Sequence, residues 1–185
     1  FTLYREENAD MELHVEGNLL KNRRGEKVML TGVNCASLEW LCNPEKLVRT
    51  VQVALDDWNA NTIRLPLSQD KWFGFGGDQR GEDESGERYR AIVDQIVEEI
   101  AKRRKYVILD LHRSNCGSWG EFISGNMPDM NSLVFWKDIA RRFGNHPNVL
   151  FGIFNEPFKV SWDCWRDGGE VTVEYAPQNI GNQIM

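Results

Sequence analysis

The chain has 185 residues, of which 41% are apolar and 27% charged, a composition typical of a globular domain and not of a disordered segment. Its 22 Lys and Arg residues face 28 Asp and Glu, and the net charge of -6 disfavours nucleic acid or an anionic membrane as a partner. No stretch approaches the ~20 apolar residues of a membrane helix, and no signal-peptide pattern is visible at the start of the chain.

The first predicted elements are a β-hairpin, a strand and a helix. A Gly-Asn turn at residues 17–18 separates two short strands, and residues 28–34 form a third, longer strand. Asn43 and Pro44 predict the N-cap and first position of a helix. Apolar residues then recur at helical spacing: Leu47, Val48, Val51, Ala54, Leu55 and Trp58.

Three more predicted strands and two more helices follow. The strands cover residues 62–67, 107–112 and 149–154, and long polar loops follow them, the first over residues 68–86 and the second over residues 113–130. One helix has the stripe Ile92, Val93, Ile96, Val97 and Ile100. The other is predicted to be capped by Asn131 and by a left-handed Gly144, with the face Leu133, Trp136, Ile139, Ala140 and Phe143. Residues 177–185 predict the start of a further helix.

Strand and helix therefore alternate four times, which predicts a parallel sheet with helices outside it. Each long loop follows a strand, so the elaborated loops share the carboxyl edge of the sheet, where βα barrels and doubly wound sheets bind ligands. Four polar residues lie at the ends of the four strands and are expected to meet at that edge: Asn34, Arg64, His112 and Glu156.

The fourth predicted strand is an apolar run of the kind found in buried strands, and it ends in Asn155-Glu156-Pro157. This sequence places a carboxylate at the end of the strand. Pro cannot donate to the sheet and an ionised Glu is not buried unpaired, so Glu156 is a candidate catalytic residue. The alternative is a surface Glu that closes a turn. Asn155 and Glu156 are adjacent and cannot both point inward with a strict period of two, so the backbone is expected to twist or bulge here.

Arg64 is expected to point inward and to need a carboxylate partner, for which Asp110 on the next strand is well placed. Asp110 and His112 share one face of their strand, but two ligands without a third do not make a metal site, and no metal is predicted. The four cysteines lack C-x-x-C spacing, which argues against a zinc ribbon and leaves their disulfide state open.

Several of the seven Trp residues follow strand ends. Trp40, Trp72, Trp119, Trp162 and Trp165 are candidates for flat platforms under a sugar ring, and ordinary loop packing explains any one of them equally well. Trp58 and Trp136 fit helix faces and are predicted to be core residues.

Four short segments, taken in order, resemble glycoside hydrolase family 5, the cellulase family. They are Leu30-Thr31-Gly32-Val33-Asn34, Asn61-Thr62-Ile63-Arg64-Leu65-Pro66, Leu109-Asp110-Leu111-His112 and Asn155-Glu156-Pro157, and the approach Asn145-His146-Pro147-Asn148-Val149 is also similar. The resemblance covers residue 13 to the end of the chain.

This resemblance implies a (β/α)8 barrel that hydrolyses β-linked polysaccharide with retention of configuration and without a cofactor. Glu156 would be the general acid/base and Asn155 would bind the sugar 2-hydroxyl, while Arg64 would hold the nucleophile ionised and His112 would line the same subsite. Asn34, Trp40, Trp72 and Trp119 are further candidate substrate-binding residues. The family's nucleophile is a second Glu at the end of strand seven, which this chain does not reach.

A closed barrel takes ~250 residues, so residues 1–185 are expected to be the first four βα units of one catalytic domain, with an N-terminal hairpin and no second domain. We expect this fragment to be inactive alone, the full-length protein to be secreted or extracellular, and β-1,4-glucan to be preferred over mannan. One alternative is a non-catalytic carbohydrate-binding barrel or a truncated pseudoenzyme. Another, a phosphate-binding protein, is disfavoured because residues 74–77 lack a phosphate-loop spacing.

Overall fold

The computed structural model describes residues 3–114, 125–174 and 179–184. Six helices lie in these ranges: α1 Leu3–Glu7, α2 Leu47–Asp56, α3 Gln69–Trp72, α4 Glu87–Lys102, α5 Met130–Phe143 and α6 Trp162–Asp167. Eight strands lie in them: β1 His14–Glu16, β2 Leu19–Lys21, β3 Gly32–Asn34, β4 Thr62–Ser68, β5 Tyr106–Arg113, β6 Val149–Gly152, β7 Glu170–Glu174 and β8 Asn179–Ile184. Two short 3₁₀ helices cover Ala9–Met11 and Gly77–Gln79.

The central sheet has four parallel strands in the order β3-β4-β5-β6. Strand order follows chain order, and the helices α2, α4 and α5 lie between successive strands. The predicted parallel sheet with alternating helices is therefore confirmed. The predicted N-terminal hairpin is confirmed as well, since β1 and β2 pair antiparallel.

One face of the central sheet is apolar and buried. The alternate residues Ile63, Leu65 and Leu67 of β4, and Val107, Leu109 and Leu111 of β5, are all 0% exposed. They share one core with the apolar stripes of α2, α4 and α5. The opposite face carries the remaining alternate residues, which include Arg64, Asp110 and His112, because successive side chains of a strand point to opposite faces.

Both helix starts that the sequence predicted from Asn residues are wrong, the first by three positions and the second by two. Lys46 precedes the first residue of α2. At α5 the N-cap is Asp129, whose side chain accepts from the backbone N–H of Ser132 while Ser132 reciprocates. Gly144 does end α5, but with φ −59° it is right-handed and not the left-handed cap that was predicted.

The stripe of α5 is also rotated from the predicted one. Phe135, which the prediction omitted, is fully buried, whereas Leu133 is 51% exposed. Trp58, predicted as core, is 70% exposed because it follows the end of α2. Residues 177–185 were predicted to start a helix, and instead residues 179–184 form strand β8, which pairs antiparallel with β7.

The edge strand β6 is less buried than the sequence suggested. Phe151 is 41% exposed and the adjoining Ile153 is 62% exposed, although the apolar run predicted a buried strand. Among the described residues, β6 pairs with β5 and has no strand on its other side. In the described ranges, no helix has the length and apolar character needed to cross a membrane.

Gly32 is required for the pairing of β3 with β4, and this makes a testable prediction. A Cβ atom on Gly32 would lie 1.7 Å from the carbonyl oxygen of Thr62. Gly32→Ala should therefore push the strands apart and lower the free energy of unfolding by about 1–3 kcal/mol or more. Urea unfolding measures this. Gly77→Ala is the matched control because a Cβ there meets no atom within 4 Å. Equal stability of the two variants would contradict the prediction.

Candidate functional site

Five side chains from the ends of the four strands meet in one polar group, called the rim network below: Arg64, Asp110, His112, Asn155 and Asn34, which contacts Arg64. The Nη2 group of Arg64 donates to Asn155 Oδ1 at 2.7 Å and forms an ion pair with Asp110 Oδ2, also at 2.7 Å. Its Nη1 group donates to Asn34 Oδ1 at 3.3 Å. The Nδ1 atom of His112 lies 2.9 Å from Asp110 Oδ2, and its Nε2 atom lies 3.5 Å from Asn155 Nδ2.

The rim network follows from strand register. Asn34 is the register partner of Arg64, and Asp110 and His112 alternate onto the same face of the next strand. Asn155 lies three residues beyond β6, where its backbone N–H donates to the Leu111 carbonyl at 2.9 Å and so extends the pairing past the end of the strand. The predicted convergence of Asn34, Arg64 and His112 is therefore seen in the structure, with Asn155 in the same group. Glu156, the fourth residue of that prediction, follows Asn155 directly, and within the described ranges it makes no hydrogen bond or ion pair with the group.

Glu156 occupies a strained turn immediately after Asn155. Its φ is +52°, in the left-handed region that costs a residue with a side chain about 1–2 kcal/mol. The expectation of an irregular backbone at this point is confirmed. The Glu156 side chain is exposed, and within the described ranges it has no hydrogen-bond or ion-pair partner. Its carboxylate is thus open to solvent and, within the described ranges, is not consumed by a structural contact.

The predicted ion pair between Arg64 and Asp110 is confirmed, and it is mostly buried. The side chain of Asp110 is 3% exposed and that of Arg64 is 28% exposed. The sequence reasoning missed the part played by Gly152, the register partner of Asp110 on β6. A Cβ atom there would lie 2.8 Å from Asp110 Oδ1. Glycine inside a strand commonly indicates such a close approach and could have been used to find it.

Trp72 is not a sugar platform. It is 0% exposed, its ring packs edge-on against Tyr89 and Phe135, and its indole N–H donates to Asp138 at 2.7 Å. The predicted loop after β4 begins with helix α3, which turns Trp72 into the core. Trp40 stays a candidate, since it follows β3 in a turn and is 46% exposed.

The other aromatic candidates differ in position. Trp162 is 85% exposed at the start of α6, and Trp165 is half-buried in the same helix. Trp119 lies outside the described residues. Trp136 is half-buried and packs on Phe151 while its indole N–H donates to the Ile153 carbonyl, so it supports the strand that leads to Asn155.

Hydrogen bonds join the loops that follow β3 and β4. The Tyr89 hydroxyl donates to the Leu38 carbonyl and accepts from the Ser68 backbone N–H, and burial raises the pKa of Tyr89. Burial by itself would raise the pKa of Asp78, but hydrogen bonds from the Lys71 ammonium and the Cys42 backbone N–H lower it. These contacts hold the segment that carries Trp40 against the rest of the fold.

The described part of the chain contains no group of three or more His, Cys, Asp or Glu side chains that could hold a metal ion. Cys35, Cys42 and Cys164 are free thiols, and Cys116 lies outside the described residues. Burial raises the pKa of both Cys35 and Cys42. The rim network offers hydrogen-bond donors and acceptors for a polar ligand.

Parallel βα units with polar side chains gathered at the carboxyl ends of their strands define an α/β protein, a class in which ligands bind at that edge. The family description "Cellulase (glycosyl hydrolase family 5)" matches residues 22–184, and the chain belongs to that family. Its structural neighbours in the same family imply a (β/α)8 barrel as the parent fold.

The relatives are named as endoglucanases and cellulases. The chain is 31% identical over 154 residues to endoglucanase MaCel5A of Microbulbifer sp. (strain ALW1), covering 83% of this chain and 27% of that protein. It is 29% identical over 147 residues to endoglucanase A of Butyrivibrio fibrisolvens, covering 79% and 32%. The chain thus spans about a third or less of these two relatives.

Two solved structures show the same likeness. The cellulase Cel5C_n superposes with a TM-score of 0.59 at 27% identity, over 84% of this chain and 46% of that one. A variant of the catalytic domain of Thermobifida fusca endoglucanase Cel5A in complex with cellotetraose superposes with a TM-score of 0.57 at 25% identity, over 86% and 47%.

The burial of Asp110 makes the Arg64 ion pair testable by stability. Arg64→Met should lower the free energy of unfolding by about 3–5 kcal/mol because it leaves a buried carboxylate without its cation. The double variant Arg64→Met/Asp110→Leu should recover part of that loss. Urea unfolding at constant pH provides the measurement.

The control is Arg166→Met, which removes a guanidinium that is 69% exposed and pairs with Asp163 and Asp167. Exposed pairs contribute about 0–1 kcal/mol, so this variant should unfold almost as the parent does. An Arg64→Met variant as stable as Arg166→Met would show that the rim ion pair is dispensable.

Proposed function

We propose that the protein hydrolyses β-linked polysaccharide, with β-1,4-glucan preferred over mannan, by a retaining mechanism in which Glu156 is the general acid/base. The observation that carries this proposal is the position of an unpartnered, exposed Glu156 directly after Asn155, which belongs to the rim network of a family 5 chain. Retaining hydrolysis needs one carboxyl group to protonate the leaving oxygen and a second to attack the anomeric carbon.

The amide of Asn155 has one donor left for substrate. Its Oδ1 atom accepts from Arg64 and one Nδ2 hydrogen points to His112 Nε2. An amide NH₂ group has two hydrogens, so the second can donate to a sugar hydroxyl oxygen. We assign this donor to the 2-hydroxyl of the sugar that is cleaved, where a hydrogen bond that strengthens in the transition state contributes to catalysis.

Arg64 likewise keeps spare donors. A guanidinium has five N–H groups, and the hydrogen bonds to Asn155 and Asn34 use two of them, so N–H groups beside the Asp110 ion pair are left for partners beyond the described residues. A second carboxylate ~5 Å from Glu156 would lie within the range that retaining enzymes use. We propose that Arg64 stabilises this nucleophile in its ionised form. We also propose that the nucleophile belongs to the part of the domain beyond these 185 residues.

Substrate binding is proposed to involve His112, Asn34 and Trp40 beside Asn155. His112 is half-buried at the rim, and Asn34 holds the Arg64 guanidinium from the side of β3. The exposed ring face of Trp40 suits the C–H face of a pyranose. The endoglucanase names of the relatives, and the cellotetraose bound by one structural neighbour, favour a glucan chain as the ligand. A polymer of this kind lies outside cells, so we propose a secreted protein.

Replacement of Glu156 tests the acid/base assignment. In the full-length protein, Glu156→Gln should lower kcat on soluble carboxymethylcellulose by about 10²–10⁴-fold because the amide cannot transfer the proton. Binding of cello-oligosaccharides should persist, since the amide keeps the shape and polarity of the carboxyl group. Reducing-sugar release and isothermal titration are the two measurements.

Asp163→Asn is the matched control, a carboxyl-to-amide change at a side chain of α6 that is 83% exposed, and its kcat should be unchanged. The 185 residues alone should release no sugar from carboxymethylcellulose, xyloglucan or mannan. Parent-like turnover by Glu156→Gln would refute the role of Glu156. A parent that binds these polymers but hydrolyses none of them would instead support a carbohydrate-binding protein.

Trp40 is tested by a pair of exposed tryptophans. Trp40→Ala should raise KM for cello-oligosaccharides about 2–13-fold with a smaller change in kcat, because loss of a stacking face removes about 0.5–1.5 kcal/mol of binding. Trp58→Ala removes an indole that is 70% exposed at the end of α2, away from the carboxyl ends of the strands. This variant should leave KM unchanged. The same KM for both variants would remove Trp40 from the binding site.

A further inference from the structure

Asp110 has two partners on a single oxygen atom. Its Oδ2 lies 2.7 Å from Arg64 Nη2 and 2.9 Å from His112 Nδ1. The side chain is 3% exposed, so water does not compete strongly for that oxygen. Asp110 is therefore joined to both neighbours of Asn155 while it does not itself reach the amide.

The donors and acceptors of the rim network can be assigned in only one consistent way. Arginine only donates, so Asp110 Oδ2 and Asn155 Oδ1 are both acceptors. A carboxylate only accepts, so the hydrogen of a neutral His112 is on Nδ1. With Oδ1 of Asn155 turned to Arg64, its Nδ2 group donates to His112 Nε2. The assignment closes a ring of four side chains.

We propose that Asp110 is a positioning residue that holds His112 as its Nδ1–H tautomer and thereby fixes the orientation of the Asn155 amide. This inference rests on the proposed function, because the fixed amide is the one that leaves an N–H for the sugar hydroxyl. If His112 carried its hydrogen on Nε2 instead, two donors would face each other across the 3.5 Å gap to Asn155 Nδ2. Rotation of the amide would then turn its NH₂ group towards the Arg64 donors.

The neighbouring strand is shaped around the Asp110 carboxylate. Gly152 has no left-handed φ, so its backbone conformation does not require glycine. Its missing side chain matters for space, since a Cβ atom would lie 2.8 Å from Asp110 Oδ1 and 3.3 Å from Asp110 Cα and Cβ. The absence of a side chain at Gly152 therefore leaves room for the carboxylate in the position where it serves both Arg64 and His112.

Two substitutions at Asp110 separate position from charge. Asp110→Asn keeps one acceptor oxygen. The Arg64 guanidinium favours the orientation in which that oxygen occupies the Oδ2 position. In this orientation the oxygen still accepts from His112 Nδ1. Asp110→Leu keeps the branched shape and the number of side-chain heavy atoms but provides no acceptor. The tautomer should therefore survive in Asp110→Asn and be lost in Asp110→Leu.

The first measurement is the tautomer itself, read from the ring ¹⁵N resonances of His112 in full-length protein labelled at histidine. Assignment uses His112→Gln, in which those resonances disappear. The parent and Asp110→Asn should show hydrogen on Nδ1, and Asp110→Leu should show hydrogen on Nε2 or a mixture. Because it does not depend on turnover, this readout tests the inference even if the protein hydrolyses no glycan.

The second measurement is kcat on cello-oligosaccharides. A misplaced catalytic group can cost about 10²-fold, so kcat should fall ~10²-fold in Asp110→Leu and less than about tenfold in Asp110→Asn. If Asp110→Leu does not fold, Gly152→Ala replaces it. The methyl group displaces the carboxylate and should weaken the Nδ1–H signal and lower kcat about tenfold.

Three results would overturn the inference. They are hydrogen on His112 Nδ1 in a folded Asp110→Leu variant, hydrogen on Nε2 in Asp110→Asn, and parent-like tautomer and kcat in a Gly152→Ala variant used as the replacement. A purely structural role for Asp110 predicts loss of stability with an unchanged tautomer, which the first of these results would reveal.

Discussion

The guanidinium of Arg64 and the carboxylate of Asp110 lie on adjacent strands at the carboxyl edge of the sheet, and each is largely withdrawn from water. A buried charge of either sign costs several kcal/mol unless it is paired and its remaining donors or acceptors are satisfied. The donors and acceptors that the ion pair leaves unused are satisfied by contacts with Asn34, His112 and Asn155. The geometry of the candidate site is a consequence of this one electrostatic constraint.

Tight backbone and side-chain spacing makes the constraint possible. Gly32 lets β3 approach the Thr62 carbonyl, and Gly152 leaves room for the Asp110 carboxylate. The opposite face of the same strands is fully apolar and packs on three helices. Strand alternation thus gives a stable core on one face and a polar rim on the other, and the strained turn at Glu156 is supported by the paired strand before it.

Much of this could be predicted from local pattern. The spacing of Asn34, Arg64 and His112 behind apolar runs was enough to predict convergence, because parallel strands share their carboxyl edge. Trp72 could not be placed in this way. A polar, Gly-rich stretch reads as loop, and only the packing of Tyr89 and Phe135 from two other helices shows that Trp72 is core.

The bounds of helices and strands were harder to predict than their presence, since the third strand was predicted over residues 28–34 and covers only Gly32–Asn34. Asn and Pro at 43–44 have the right chemistry for a helix start, yet α2 begins at Leu47, where its apolar side chain meets the core. Residues 177–185 carry no strong period of either kind, and in β8 pairing with β7 decides between helix and strand.

The sequence by itself determined which residues line each strand and which chemistry they carry, since alternation and residue type are local properties. Tertiary structure decided which of those groups touch. The choice of Asp110 as the shared partner of Arg64 and His112, and the orientation of the Asn155 amide, depend on register between strands. Register results from packing across the whole sheet, and no local pattern contains it.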